Sequence, residues 1–307
     1  MLIRPKRLKV GDTVGIIAPA SPPKKENLEK ALHFLNELGL QVKLGKHVWD
    51  VNGYLAGTEA DRVEDLHAMF KDEDIKGVIC TNGGYGTGRF AEKIDYQLIK
   101  ENPKVFWGYS DITYLHTAFG KYADIVTFHG PMLSSDIGTD TCHDFSKKMF
   151  QQLFTPMELH YTEQISPLVT VSKGQAVGQL VGGNLSLLVS TLGTKYEIDT
   201  TGKLLLIEDV GEEPYRIDGM LNQLRLAGKL ADAAGFVIGN FAKAEPKKKD
   251  QSLTLDEVLA HYLGSLAKPA VSGFQIGHCQ PHFAVPLGVE AKLDADGKTL
   301  TILPGVE

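Results

Sequence analysis

Lys104-Val105-Phe106-Trp107-Gly108-Tyr109-Ser110-Asp111-Ile112-Thr113 reads as a short buried strand that turns into a helix. Four mostly apolar residues make the strand, and residues 112–119 make the helix. Ser110 sits at the turn, where a hydroxyl projects from the end of a sheet. The Asp111 amide lies at the helix start, where N–H groups lack partners and favour negative charge. That arrangement suits a serine nucleophile beside half an oxyanion hole. It also suits an ordinary N-cap, because serine and aspartate are favoured helix starters. The best-known serine turn of this kind is G-x-S-x-G. Gly108-Tyr109-Ser110-Asp111-Ile112 lacks its second glycine.

Upstream, strands and helices alternate. Residues 13–18 read as a buried strand, followed by a loop stiffened by Pro19, Pro22 and Pro23. Residues 24–38 place Leu28, Ala31, Leu32 and Leu35 on one helical stripe, which Gly39 stops. A strand over 40–44, a helix over 58–70 and a strand over 75–81 follow, with Thr58 and Asp61 as a capping pair. This alternation predicts a parallel sheet with helices on both faces. Ligands of such sheets bind at the carboxyl ends of the strands. Ser110 is at one such end and Asn82-Gly83-Gly84-Tyr85-Gly86-Thr87-Gly88-Arg89 is at another. The glycine loop is not G-x-G-x-x-G in register, since Arg89 stands where the third glycine belongs, and it lacks the Gly-Lys-Ser/Thr of a P-loop. It is either a tight turn needing positive φ or a backbone that offers amides to a substrate.

Downstream, a strand over 126–128 leads into His129-Gly130-Pro131-Met132. His129 is either a site residue or a satisfied core histidine. Periodicity fades over 151–172, where Pro156 and Pro167 stand among polar residues. A second unit starts at Gly174. It holds a strand and helix over 179–192 and an apolar strand over 203–207 that ends in Glu208-Asp209. Side chains alternate along a strand, so only one of these carboxylates faces a given site. A helix over 214–226, a strand over 236–238, a helix over 253–263 and a strand over 271–277 lead to His278-Cys279-Gln280-Pro281-His282. Segments 287–293 and 299–303 flank Asp296-Gly297 as a hairpin. The predicted class is α/β: an N-terminal parallel-sheet domain over 1–155, a linker over 156–173, and a mixed α/β C-terminal domain over 174–307.

Composition narrows the function. The chain of 307 residues is 43% hydrophobic and 23% charged, with net charge -6. It carries no arginine-rich stripe, which argues against a nucleic-acid surface. No apolar run approaches bilayer length. The apolar residues 14–18 after Arg4, Lys6, Arg7 and Lys9 are too short for a signal h-region. Cys80, Cys142 and Cys279 are scattered and odd in number, which fits a reducing, cytoplasmic setting. His278, Cys279 and His282 invite a metal reading, but Pro281 forbids the helix that would align an i, i+4 pair, and no further ligand stands at metal spacing. No metal and no cofactor are expected. A strand-end histidine, a strand-end carboxylate and Ser110 can form a triad in any chain order.

Several stretches resemble the LD-carboxypeptidase family of serine peptidases, which includes muramoyltetrapeptide carboxypeptidases and microcin-immunity peptidases. They are Gly83-Gly84-Tyr85-Gly86, Trp107-Gly108-Tyr109-Ser110-Asp111-Ile112-Thr113, His129-Gly130-Pro131-Met132, Gly182-Gly183-Asn184-Leu185, Ile207-Glu208-Asp209, Glu213-Pro214-Tyr215-Arg216-Ile217-Asp218 and Gly277-His278. They fall in family order across nearly the whole chain. The resemblance implies a triad of Ser110, Glu208 and His278, with backbone amides of Gly84 and Asp111 as oxyanion donors. It implies a site in a cleft between two domains, a homodimer, and release of terminal D-alanine from a murein tetrapeptide. Arg89 and Asn184 are offered as polar contacts to that substrate. The alternatives are a microcin-immunity-like peptidase acting on peptide-nucleotide or aminoacyl adenylate analogues, and a non-catalytic two-domain binder of small ligands. Two positions depart from the family pattern: Asn82 stands where arginine is common, and Gly219 where arginine commonly follows Asp218.

Overall fold

The structure, a computed structural model, describes residues 2–307. The chain divides into two compact units. The first holds Met1–Met157 with Gln280–Gly288 and Pro304–Glu307, and the second holds Glu158–Cys279 with Val289–Leu303.

In the first unit, strands β1 (Thr13–Ile17), β2 (Gln41–Leu44), β3 (Ile75–Cys80), β4 (Val105–Gly108) and β5 (Thr127–His129) alternate with helices α1 (Lys25–Glu37), α2 (Glu59–Lys71), α3 (Tyr96–Glu101) and α4 (Thr113–Tyr122). A short helix α5 (Asp144–Lys148) follows. Strands β3 and β4 are almost wholly buried. Strands covered on both faces read as continuous apolar runs, and these do. Helix α1 buries Leu28, Ala31 and Leu35. Helix α2 opens on a capping box, in which Asp61 N–H donates to Thr58 Oγ1 at 3.3 Å and Thr58 N–H to Asp61 Oδ2 at 2.7 Å. Phe70, Phe106 and Phe119 meet in the core, with the last two ring centroids 4.8 Å apart.

In the second unit, β6 (Leu159–Tyr161), β7 (Val169–Ser172), β8 (Gln175–Asn184), β9 (Leu204–Val210), β10 (Gly235–Ala242) and β11 (Ala270–Ser272) are joined by α6 (Leu185–Ser190), α7 (Pro214–Leu226), α8 (Lys229–Asp232) and α9 (Leu255–Leu263). The chain then returns to the first unit as β12 (Val285–Leu287), and to the second as β13 (Glu290–Asp294) and β14 (Thr299–Ile302). The first sheet runs β12-β5-β4-β3-β1-β2, parallel except for β12 on β5. The second runs β6-β14-β13-β8-β9-β10-β11-β7, with a parallel centre of β8, β9, β10 and β11. Order 2-1-3-4-5 puts a switch point between β1 and β3, so the loop after β3 opens at the crevice where such sheets bind ligands.

Three local features differ from the sequence reading. The helix expected over 112–119 starts as a tight 3-10 turn, Ser110–Ile112, and continues as α4. The stretch 156–173, expected as connecting chain, contributes the outer strands β6 and β7. Both are short, so too few residues alternate to show a strand period. The single strand expected over 287–293 is two, because the chain leaves one sheet and joins the other around Gly288, whose φ is +92°. No helix among the described residues is long and apolar enough to cross a membrane.

His116 on α4 is a consequence of this packing. Its Nε2 donates to the Gly108 carbonyl at 2.8 Å, and its Nδ1 has no hydrogen-bond partner among the described residues. Burial pushes its pKa down to about 3. The unfolded chain binds this proton near pH 6.5 and the folded chain does not. Stability from this group is therefore whole above pH 6.5 and is lost as pH falls, by up to about 1.4 kcal/mol per pH unit. We expect His116→Gln, which can still donate to Gly108, to flatten the decline between pH 6.5 and 4 in urea unfolding. Parallel curves for the two proteins would refute the assignment.

Candidate active site

In the first unit, the Ser110 turn is built from residues on three elements. Ser110 has a backbone φ of +63°, in the left-handed region that non-glycine residues seldom occupy. A strained turn at the end of a strand is the geometry of a nucleophile elbow, and it forms here without the second glycine of that motif. The turn is fixed on both flanks. Gly108, before it, has its carbonyl bound by His116 Nε2 and by Gly130 N–H at 3.2 Å. The Tyr109 hydroxyl donates to Asp136 Oδ1 at 3.0 Å, and Asp136 Oδ2 accepts the Met132 N–H at 3.0 Å. His129 is fully buried with its ring 5.5 Å from that of Tyr109, which makes it a core support of the turn. Sequence reasoning left His129 open and passed over Asp136.

The glycine loop lies against this turn. A Cβ on Gly83 would stand 2.9 Å from Ser110 Cβ and 3.1 Å from its Oγ, so only glycine lets the loop approach. Asp111 is buried, and its carboxylate accepts the Thr87 N–H at 2.9 Å. Burial pushes the Asp111 pKa up, while bonds from Thr87 and Gly86 pull against that rise. The Asn82 side chain folds onto its own loop, donating to the Gly83 carbonyl at 3.1 Å and accepting the Thr81 hydroxyl at 2.8 Å.

In the second unit, the alternation along β9 separates the two carboxylates. Glu208 is fully buried, and its Oε2 lies 2.7 Å from Nδ1 of His278. Asp209 turns the other way. It accepts Asn184 Nδ2 at 3.0 Å and the Ser186 N–H and hydroxyl at 2.9 and 2.7 Å, and burial raises its pKa. Glu208 is therefore the carboxylate that serves the histidine. A carboxylate on Nδ1 sets the tautomer and leaves Nε2 as the basic nitrogen. Gly277, with φ +112°, makes the contact possible, since a Cβ there would stand 2.4 Å from Glu208 Oε2.

The two side chains offered as substrate contacts have structural partners. Arg89 Nε bonds Glu59 at 2.9 Å. Asn184 caps α6 by accepting the Leu187 N–H at 3.2 Å while it donates to Asp209. Gly219 faces open space on α7. Ligand atoms of His47, Asp50 and Asp61 lie within 4.8 Å of one another. They are already bonded, His47 Nδ1 to Asp50 at 2.6 Å and Asp61 to Thr58 at 2.7 Å. The Asp50 bond in particular raises the His47 pKa.

Both halves of the chain match known family models. Residues 14–130 match the LD-carboxypeptidase N-terminal domain and residues 177–293 match the LD-carboxypeptidase C-terminal domain. The chain is 56% identical over 303 residues to a probable murein peptide carboxypeptidase of Bacillus subtilis, covering 99% of this chain and 95% of that protein. A muramoyltetrapeptide carboxypeptidase from Oxalobacter formigenes superposes with a TM-score of 0.84 at 28% identity, covering 94% of this chain and 97% of the other. An MccF-like protein from Bacillus anthracis superposes with a TM-score of 0.87 at 27% identity, covering 98% and 99%.

The Gly277 geometry has a measurable consequence. Gly277→Ala strains a positive φ and drives a methyl into the Glu208 carboxylate, so it should lower stability by more than about 1 kcal/mol. Urea unfolding reads this directly, and an unchanged midpoint would contradict the packing described.

Proposed function

We propose a reaction for this chain, which belongs to the LD-carboxypeptidase family and is a serine-type carboxypeptidase: it hydrolyses the bond between an L-centre diamino acid and the terminal D-alanine of a murein tetrapeptide. A murein peptide as substrate is supported by the 56% identity to a probable murein peptide carboxypeptidase of Bacillus subtilis. The observation that carries the mechanism is the 2.7 Å contact between buried Glu208 and His278 Nδ1. It supports His278 as a general base whose tautomer and developing charge Glu208 stabilises. The positive φ and strand-end position of Ser110 support it as the nucleophile.

On this reading, His278 Nε2 takes the hydroxyl proton of Ser110 as Oγ bonds to the amide carbon. The oxyanion accepts N–H bonds from Gly84 and Asp111. One such donor contributes about 3 kcal/mol when preorganised. The C–N bond then breaks, and D-alanine leaves with the proton from His278. Water, deprotonated by His278, attacks the acyl-enzyme and restores Ser110. The same reading has the enzyme act in the cytoplasm, as a homodimer, and the scattered cysteines are compatible with that compartment.

The test is mass spectrometry of L-Ala-D-Glu-meso-diaminopimelate-D-Ala after incubation with wild type, Ser110→Ala and His278→Ala. Wild type should release one alanine, and each variant should lose about a thousandfold or more in rate. Turnover by Ser110→Ala would reject the nucleophile. An intact tetrapeptide with wild type would reject the substrate, and an aminoacyl sulfamoyl nucleotide cleaved instead would favour the microcin-immunity reading.

A further inference from the structure

Two buried charged side chains in the first unit converge on one peptide group of the glycine loop. The carbonyl of Gly86 accepts Arg62 Nη1 at 2.9 Å. The N–H of Thr87, the other end of that peptide group, donates to Asp111 Oδ2 at 2.9 Å. The peptide dipole thus lies with its oxygen toward a cation and its hydrogen toward an anion. Three more bonds tie the assembly down. Thr87 Oγ1 donates to the Asp111 carbonyl at 2.7 Å, Arg62 Nη1 also reaches the Pro19 carbonyl at 2.9 Å, and Arg62 Nε reaches the Thr58 carbonyl at 3.3 Å. The guanidinium stacks 4.9 Å from the centre of the Phe90 ring. Arg62 is 2% exposed and Asp111 is 3% exposed.

Burying a guanidinium and a carboxylate that do not pair directly is costly. Loop anchoring alone would not need charge, because buried ionic groups can often be replaced by well-packed apolar side chains without loss of stability. What the charges add is orientation. Gly84 is two residues from the clamped peptide, and the Asp111 backbone is itself one end of the clamp. Oxyanion donors work only when placed within a few tenths of an ångström and fixed before the charge develops.

We propose that Asp111 and Arg62 are positioning residues, which through the Gly86–Thr87 peptide hold the backbone amides of Gly84 and Asp111 at the separation that the developing oxyanion requires. The proposal rests on the reading of Ser110 as the nucleophile.

The experiment compares wild type with Asp111→Asn, Thr87→Val, Arg62→Met and Arg62→Lys. It measures kcat and KM on the tetrapeptide, inhibition by a peptide boronic acid that forms a tetrahedral adduct, inhibition by the tripeptide product, and the labelling rate of Ser110 by a fluorophosphonate. Asparagine in place of Asp111 removes the negative charge and turns one of the two acceptor oxygens into a donor beside the Thr87 and Gly86 N–H groups. We expect kcat to fall about a hundredfold with KM within twofold, boronate affinity to weaken by a similar factor, and product affinity to stay unchanged. Arg62→Lys should recover part of what Arg62→Met loses. Thr87→Val, which keeps the N–H and removes only the hydroxyl, should show the same split at about tenfold and stands in if Asp111→Asn does not fold. Retention of kcat within threefold, or a loss confined to KM and product binding, overturns the proposal. Fluorophosphonate labelling separates the two readings. If wild type labels but leaves the tetrapeptide intact, only the substrate assignment falls, and slower labelling of Asp111→Asn still supports the clamp. If wild type does not label, both fall.

Discussion

A serine held at a positive φ is the constraint around which the first unit is arranged. Such a backbone costs about 1–3 kcal/mol and persists only where its surroundings over-determine it. Here they do so from each flank. Strand β4 ends in Gly108, which is pinned by His116 and Gly130. Tyr109 is tied to Asp136 through its hydroxyl and packed by two buried histidine rings, His129 and His282. Asp111 is bound to the next loop. Relaxing Ser110 to an ordinary helical start would break all three attachments, each with a buried group at one end or both. The strain is therefore a product of packing set during folding, and it leaves the serine at the carboxyl end of a parallel strand.

The second unit solves a different problem with the same sheet geometry. Glu208 and Asp209 are adjacent in sequence and both buried, and they take different partners because the pleat sends them to opposite faces. Glu208 finds a histidine; Asp209 finds an asparagine side chain and the start of α6. Each buried carboxylate thus has bonds of its own, which buried charge requires. Asn184 is part of that economy: its amide faces Asp209 and its carbonyl oxygen caps a helix, so its polar ends are committed to the fold.

What could be read from the chain follows from how local each signal is. Strands β1, β3, β4 and β9 were legible because burial on both faces makes a continuous apolar run. The Thr58–Asp61 cap was legible because its partners are three residues apart. The alternation at Glu208-Asp209 was legible, but not which carboxylate meets the histidine, since His278 is 70 residues away. Strands β6 and β7 were too short to show a period. The sheet exchange around Gly288 left no mark, because only two residues separate the flanking strands Val285–Leu287 and Glu290–Asp294. Arg62 did leave one: it occupies the stripe of Leu66, Met69 and Phe70, where a charge is out of place. That misplaced charge was a signal of a buried role, though its partner loop is 24 residues off.

The clamp on the glycine loop also bears on how rigid that loop can be. Hydrogen bonds to charged groups contribute about 1.5–3 kcal/mol each. Flipping the Gly86–Thr87 peptide would remove one at each end, and would point the carbonyl at Asp111 and the N–H at Arg62. The flip is opposed by about 3–6 kcal/mol from lost bonds alone, before the repulsion is added. Glycines flanking Tyr85, at φ +111° and +122°, would otherwise leave this stretch pliant. Glycine is needed for the close approach to Ser110, and flexibility comes with glycine. Two buried charges remove that flexibility at the one peptide through which it would spread, so the loop keeps the approach without the looseness.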